Sequence, residues 1–510
     1  MQDYRLDVLE RVGVWGDMGN GYYRNPVLMA DYSDPDVVRV GEDFYMVCSE
    51  FHFMGMPVLH SKDLVNWTII GQVYDRLEMD SKYDSMEKYG KGSWAPSIRF
   101  HDGLFYVYFC TPDEGLYMST AVNPAGPWAP LHEVARAYRW EDPCPFWDDD
   151  GQAYLGRSQC GAGPIILHRM TPDGKSLLDD GVTIYEGECA EGTKIYKRNG
   201  YYYLIIPEGT VPYGWQTAAR SRNLYGPYER QVVLSQQDTW VNGPHQGGYV
   251  ELENGEGWFL HFSHTGALGR IVHLQPVTWI EDWPLIGYSK NDRFPGKPVT
   301  VWKKPEVGSS HPICAPQTSD NFDSPQLGLQ WQWNHNPDDR SWSLTERPGY
   351  LRLRTQPGID LLRARNVLTQ KIMGTSGVIT IKLDTASMGF NQRAGVALMG
   401  GPETHQLYVE NKGRKKGIVG ILAGEAVQGP ELIQTEVWFR ITIQLCSQIT
   451  FYYSLDGWNY QHFWRNAQVQ NGYWKGARVA LFTYEGQEGH VDIECFEYRH
   501  DGPGGQLEAE

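Results

Sequence analysis

The stretch "YSDPDVVRVGEDFYM", residues 32–46, sets Asp34 and Asp36 on either side of a proline and then runs into alternating apolar residues. Alternation of period two is the pattern of a half-buried strand. Carboxylates at the mouth of one such strand mean little, but the stretch recurs. Four further segments align with it on a turn and the aromatic strand that follows: "WAPSIRFHDGLFYVYF" from Trp94, "DPCPFWDDDGQAYLG" from Asp142, "EGTKIYKRNGYYYLI" from Glu191 and "HQGGYVELENGEGWFLHF" from His245. In the three middle segments the first residue precedes an Asp-Gly or Asn-Gly pair by eight positions and a Tyr by twelve.

Each segment reads as strand, hairpin turn, strand, because Asp-Gly and Asn-Gly supply the positive φ that two-residue hairpin turns demand. Runs such as "PVLHSKDLVNWTII" and "GLYMSTAVNPAGPWAPL" lie between them and hold two more strands each. Four strands recurring about every 50 residues is the signature of a β-propeller. Five blades account for the chain to about residue 300. The innermost strands of a propeller line one central channel, so Asp34, Trp94, Asp142, Glu191 and His245, in the same slot of successive blades, are predicted to ring its mouth. A purely structural slot would be served by any small turn-former; three carboxylates, a Trp and a His suggest a pocket.

Composition agrees with an all-β chain. Of 510 residues, 13% are aromatic, with 19 Trp and 31 Tyr, and 56 are Gly; aromatic rings suit pleated surfaces and glycines suit tight turns. A formal net charge of −17 disfavours nucleic acid as a partner. No apolar run reaches the roughly 20 residues that span a bilayer. The N-terminus, "MQDYRLDVLERVGVWGDMGNGYYRNP", has early acids and no apolar core, unlike a signal peptide. The eight Cys form no CxxC pair, and several sit in apolar strands, as reduced thiols do. A cytoplasmic location is the expectation, with a trimmed secretory leader as the alternative.

Three converging carboxylates without a nucleophilic Ser or Cys motif suit glycosidic bond cleavage. One carboxylic acid protonates the leaving oxygen, and a carboxylate acts from the opposite side. A third beside the acid raises its pKa by like-charge repulsion. Asp34, Asp142 and Glu191 can fill these roles. Asp31 and Asp36 compete with Asp34 at the first position; Glu188 and Glu208 flank Glu191 and read as loop or rim residues. Cys144 and Cys189 lie two residues from Asp142 and Glu191 and read as buried, inert thiols.

The ordered motifs "SDPDVVRVGEDFYM", "SWAPSIRFHDGLFYVYF", "EDPCPFWDDDGQAYL", "EGTKIYKRNGYYYL", "GPHQGGYVE" and "GRIVHLQPVTW" resemble glycoside hydrolase family 43, the five-bladed-propeller β-xylosidases and α-L-arabinofuranosidases. By position, the resemblance makes Asp34 the general base that activates water, Asp142 the residue that tunes and orients the acid, and Glu191 the general acid. It makes Trp94 an aromatic wall for the terminal sugar and Arg270 a sugar-hydroxyl binder. His245 resembles the histidine that binds a central Ca²⁺ directly or through water. Where many members carry a Pro-Gly turn after the first inner hairpin, this chain has "FHFMGMPVLHS", so fine specificity does not transfer.

"KKPEVGSSHPICAPQTSDNF", residues 303–322, breaks the repeat and reads as a linker. Beyond it, short alternating runs such as "GVITIKLDT", "VWFRITIQL" and "ARVALFTY" indicate a β-sandwich. "FDSPQLGLQWQWNHNP" and "LLRARNVLTQKI" resemble the C-terminal sandwich of two-domain β-xylosidases of the family, which packs on the propeller and helps close the pocket. The sequence therefore divides into a propeller over 1–305, a linker over 306–320 and a concanavalin- or jelly-roll-like sandwich over 321–510. The expected activity is exo-acting, inverting release of terminal β-D-xylose from xylo-oligosaccharides. An α-L-arabinofuranosidase activity stands beside it, because the two sugars present similar hydroxyl geometry. The alternatives are a main arabinofuranosidase activity and a non-catalytic carbohydrate-binding propeller.

Overall fold

The computed structural model describes residues 15–504, so most of the N-terminal stretch read against a signal peptide lies outside the described residues. Five four-stranded sheets follow one another along the chain, each built from consecutive strands. Their innermost strands are Asp36–Val40, Trp94–His101, Trp140–Trp147, Lys194–Arg198 and His245–Glu251. This is the five-bladed propeller predicted from the repeat. No blade borrows a strand from another. A small three-stranded sheet instead pairs Tyr22–Arg24 with both Gly16–Asp17 and Val301–Lys303, and so ties the two ends of the propeller together.

The turn chemistry explains two of the inner hairpins. Asp102-Gly103 and Asn199-Gly200 form two-residue loops with φ of 47° and 78°, and of 51° and 73°. Both central residues are left-handed, as these dipeptides allow. The Asp150-Gly151 pair behaves differently: Trp147 pairs with Ala153, so the loop holds five residues and closes on its own backbone through Asp148 and Gln152.

Two seven-stranded antiparallel sheets form the second unit. One has Arg478–Tyr484 and Arg393–Met399 at its centre, and the other His490–His500 and Gly377–Asp384. This is the predicted β-sandwich. Between Lys303 and Gln332 there is no strand, and the segment is held to blade one by bonds such as Cys314 N to Asn66 Oδ1 at 3.0 Å.

A single apolar core crosses from one unit to the other, joining Met46 and Leu59 of blade one to Leu368 and Val479 of the sandwich. The contact is shared by the blade-one loop 49–56, which overlaps the segment that departs from the family pattern, and by residues 72–89, where Gln72 Nε2 donates to Leu329 O and Leu77 N to Asn336 Oδ1. Met54 N donates to Trp333 O at 2.9 Å, and Gln332 Nε2 donates to Gly55 O at 2.6 Å. Bonds of this kind, to backbone carbonyls on both sides, fix the sandwich against the channel mouth.

Candidate active site

At that mouth lies a pocket of about 410 Å³ lined by Asp34, Trp94, Asp142, Glu191 and Arg270, within the size range of small-ligand sites. A cleft of about 1110 Å³ between blade edges and sandwich is larger but contains none of these carboxylates. The slot carboxylates gather in the smaller pocket.

The backbone at the shared slot is distorted in a consistent way. Asp34, Ala95, Asp142 and Gly192 have φ of 54°, 35°, 57° and 59°. The inner ladders slip register between Trp94 and Ser97, Glu141 and Cys144, and His245 and Gly247. Bulges of this type re-aim side chains, and left-handed non-glycine residues persist where the surroundings over-determine them. In the first four blades the slot residue lines the pocket.

Asp34 is gripped on both oxygens. Arg270 Nη1 donates to Oδ1 at 2.7 Å, while Ser49 Oγ and Ser33 Oγ donate to Oδ2 at 2.6 and 2.9 Å. Pairing with a guanidinium suits a carboxylate. The two competing acids are committed elsewhere. Asp36 is fully buried, with Oδ2 bonded by Arg99 Nη1 at 2.6 Å and Ile98 N at 2.9 Å. Asp31 accepts from the backbone of Arg270 and Gly476.

Asp142 accepts three bonds: from Ser158 Oγ at 2.7 Å, Gly192 N at 2.8 Å and Gln246 Nε2 at 2.8 Å. Glu141, Asp142 and Glu191 each present an oxygen within 4.8 Å of the others. Burial, followed by the charges of Asp142 and Glu141, pushes the Glu191 carboxyl well above its ordinary value. Burial and the Asp142 charge push Glu141 up to about 8. Burial raises Asp142 as well, but the donors from Ser158 and Gly192 favour its ionised form.

His245 sits beneath the pocket instead of on its wall. It is 0% exposed, with Nε2 3.4 Å from Glu191 Oε1, and its neighbour Gln246 takes the place in the lining. Both ring nitrogens are buried without a hydrogen-bond partner. Burial, then the Arg270 charge, holds its pKa at about 3, so the ring is neutral. An orphaned neutral nitrogen near a carboxylate fits a hydrated cation, and calcium's demand for several oxygens would be met mostly by water. The acidic trio offers a second set of hard oxygen donors for a divalent cation.

Several lining residues were not found from the sequence. Glu141 and Gln246 directly follow or precede slot residues, which strand alternation would send to the opposite face; the bulges bring them to the same side. Phe51 comes from the departing loop and meets Trp94 edge to face at 5.6 Å. Trp474, 61% exposed, reaches the pocket from the sandwich, and Tyr473 and Trp474 are both left-handed, with φ of 53° and 69°. Glu208 is no rim residue: it is buried and bonded by Tyr185 Oη at 2.8 Å and Thr217 Oγ1 at 2.5 Å. Cys144 is buried as expected, whereas Cys189 is exposed, because its left-handed backbone sits in the loop before the strand.

The sequence of blades one to five, residues 23–284, matches the model of glycosyl hydrolases family 43. The chain belongs to this family. Residues 319–499 match the beta xylosidase C-terminal concanavalin A-like domain. A candidate beta-xylosidase of Xylanibacter ruminicola is 53% identical over 485 residues, 94% of this chain and 90% of its own. A beta-xylosidase of Formosa agariphila is 35% identical over 552 residues, 97% of this chain and 93% of its own. Among solved structures, a bifunctional GH43-CE protein of Bacteroides eggerthii superposes with a TM-score of 0.84 at 30% identity; 95% of this chain covers 64% of that longer one. In this family-43 chain all three slot carboxylates line the same pocket.

Proposed function

We propose that this family-43 glycosidase is an exo-acting, inverting β-xylosidase that removes terminal β-D-xylose from xylo-oligosaccharides. The carrying observation is the contrast between two carboxyl groups in one pocket. Asp34 is paired with Arg270, whereas Glu191 is kept protonated by burial and by the charges of Asp142 and Glu141. An ion-paired carboxylate in one pocket with a carboxyl raised by burial and like charge suits a base and an acid.

Glu191 then donates its proton to the leaving glycosidic oxygen while Asp34 takes one from the attacking water. Asp142, fixed by three donors, keeps Glu191 protonated between turnovers. Trp94 offers a face to the terminal sugar, its indole N–H already spent on Gly90 O at 3.0 Å. The Arg270 Nη1 bonded to Asp34 leaves the rest of the guanidinium for sugar hydroxyls. A Ca²⁺ ion would be held by His245 with water, and would add positive charge beneath the sugar. The names of the Xylanibacter and Formosa relatives support xylose as the sugar released.

The test is kcat/KM on the nitrophenyl β-D-xyloside against the nitrophenyl α-L-arabinofuranoside. The expected result favours the xyloside. A clear preference for the arabinofuranoside would make removal of arabinose side chains the main activity.

A further inference from the structure

Five charged side chains meet in the interior where the sandwich joins blade one. Asp31 and Glu50 come from the propeller; Lys371, Lys475 and Arg478 come from the sandwich, and all five are buried. Glu50 is satisfied by Lys371 Nζ at 2.6 Å and Arg478 Nη2 at 2.5 Å. Lys475 Nζ lies 2.7 Å from Ser49 O, 3.1 Å from Asp31 Oδ2 and 3.4 Å from Glu50 Oε2. Taking so many charges out of water is costly, and well-packed apolar residues can serve stability as well or better. Stability alone is therefore a weak reason for this cluster.

Its connections supply a stronger one. Ser49, whose carbonyl is held by Lys475, donates its hydroxyl to Asp34 Oδ2 at 2.6 Å and accepts from Ala95 N at 2.6 Å. Asp31, whose Oδ2 is held by Lys475, accepts the Arg270 backbone N–H on Oδ1 at 2.9 Å. Arg270 in turn donates to Asp34 Oδ1 at 2.7 Å. Each oxygen of Asp34 is thus bonded by a residue that Lys475 reaches, Ser49 directly and Arg270 through Asp31. Lys475 directly follows Trp474, which lines the same pocket.

We infer that Lys475 is a positioning residue through which the sandwich sets the Asp34 carboxylate for attack by water. The inference rests on the reading of Asp34 as the general base. Without the ammonium, the Ser49 carbonyl and the Asp31 carboxylate lose their common anchor, and Asp34 loses its alignment on both sides. The sandwich then completes the base side of the reaction as well as the pocket wall.

The test is Lys475→Met in the full chain, with circular dichroism and thermal unfolding to establish that it folds. Kinetics are read on nitrophenyl β-xyloside and on xylobiose. Misalignment of a base by about 1 Å costs on the order of 10²-fold in rate, so kcat is expected to fall by that order. Water attack is common to both substrates, so the factor should match for the good and the poor leaving group, with KM little changed. Ser49→Ala, which keeps the ion cluster, is expected to stay folded and to lower kcat on both substrates. Unchanged kcat in a folded Lys475→Met, or a loss confined to KM for xylobiose, would overturn the inference. Should Lys475→Met not fold, unchanged kcat in Ser49→Ala overturns it. Asp34→Asn separates the two levels: an active Asp34→Asn removes the base assignment itself, whereas an inactive one beside a fully active Lys475→Met removes only the coupling.

Discussion

Arg270 Nη1 donates to Asp34 Oδ1 at 2.7 Å, and this bond joins the last blade of the propeller to the loop that opens the first. The Asp34 carboxylate is therefore set by chain closure as well as by the loop before its own strand. Asp34→Asn is expected to lower kcat by about 10² to 10⁴-fold, the usual weight of general acid–base catalysis. The variant should remain folded but with a lowered unfolding temperature, because Arg270, Ser33 and Ser49 all donate to this carboxylate and the amide gives up its charge and one acceptor. Near-normal turnover would remove Asp34 from the base role.

The acid side predicts a pH effect. In the proposed mechanism Glu191 acts when protonated, and its raised pKa comes from burial, then Asp142, then Glu141. Removing a neighbouring negative charge makes ionisation of Glu191 easier, so the alkaline limb of kcat/KM must move to lower pH. Glu141→Gln should show this shift, and Asp142→Asn a larger one. An alkaline limb that stays in place in both would leave burial as the sole cause.

Stability should depend on pH through the buried cluster between propeller and sandwich. Burial would raise Asp31 and Glu50, but Lys475 and Lys371 outweigh it and hold each at about 2. The unfolded chain takes up these protons near the ordinary values of 3.8 and 4.5. Stability from these groups is thus complete above that range and is lost as pH falls toward 2, roughly 2 to 3 kcal/mol each. His335, at the same junction, is held at about 3 by burial, against an ordinary 6.5. The unfolded chain binds its proton first, so it too destabilises the fold as pH drops below 6.5. Calorimetry should show Tm falling from neutrality downward and more steeply below about pH 4.5. A Tm that is flat between pH 7 and pH 4 would contradict the burial of these groups.

Trp474 stands at the pocket from the sandwich side and is more than half exposed. Its place on the outer wall suits stacking on the sugar that leaves. Trp474→Ala is expected to raise KM for xylobiose, by about the 1–3 kcal/mol that stacked rings contribute at nucleic-acid bases, while kcat on nitrophenyl β-xyloside stays close to the parent value. Equal losses on both substrates would place the indole against the terminal sugar instead.

The propeller was legible because its repeat is written twice, in the Asp-Gly and Asn-Gly turns and in the aromatic strand after each. The slot residues followed from the same register, and the pocket contains Asp34, Trp94, Asp142 and Glu191 together. Glu141 and Gln246 were hidden because a bulge breaks the alternation that the sequence displays, and nothing in "WEDPCPF" or "GPHQGGY" marks one. Trp474 and Lys475 were hidden for another reason. They lie in a short connection of a different unit, and only the docking of two sheets onto blade one brings them to Asp34. Local pattern carries the strands; long-range docking carries the rest of the site.

The stereochemistry of the first product tests the central claim most directly. Asp34 enters the pocket from blade one and Glu191 from blade four, and an acid and base on non-adjacent blades suit a water between carboxylate and sugar. Proton NMR of nitrophenyl β-xyloside hydrolysis, recorded before mutarotation, should show α-xylose appearing first. Initial β-xylose would require direct attack by a carboxylate on the sugar and would contradict Asp34 as a base acting through water.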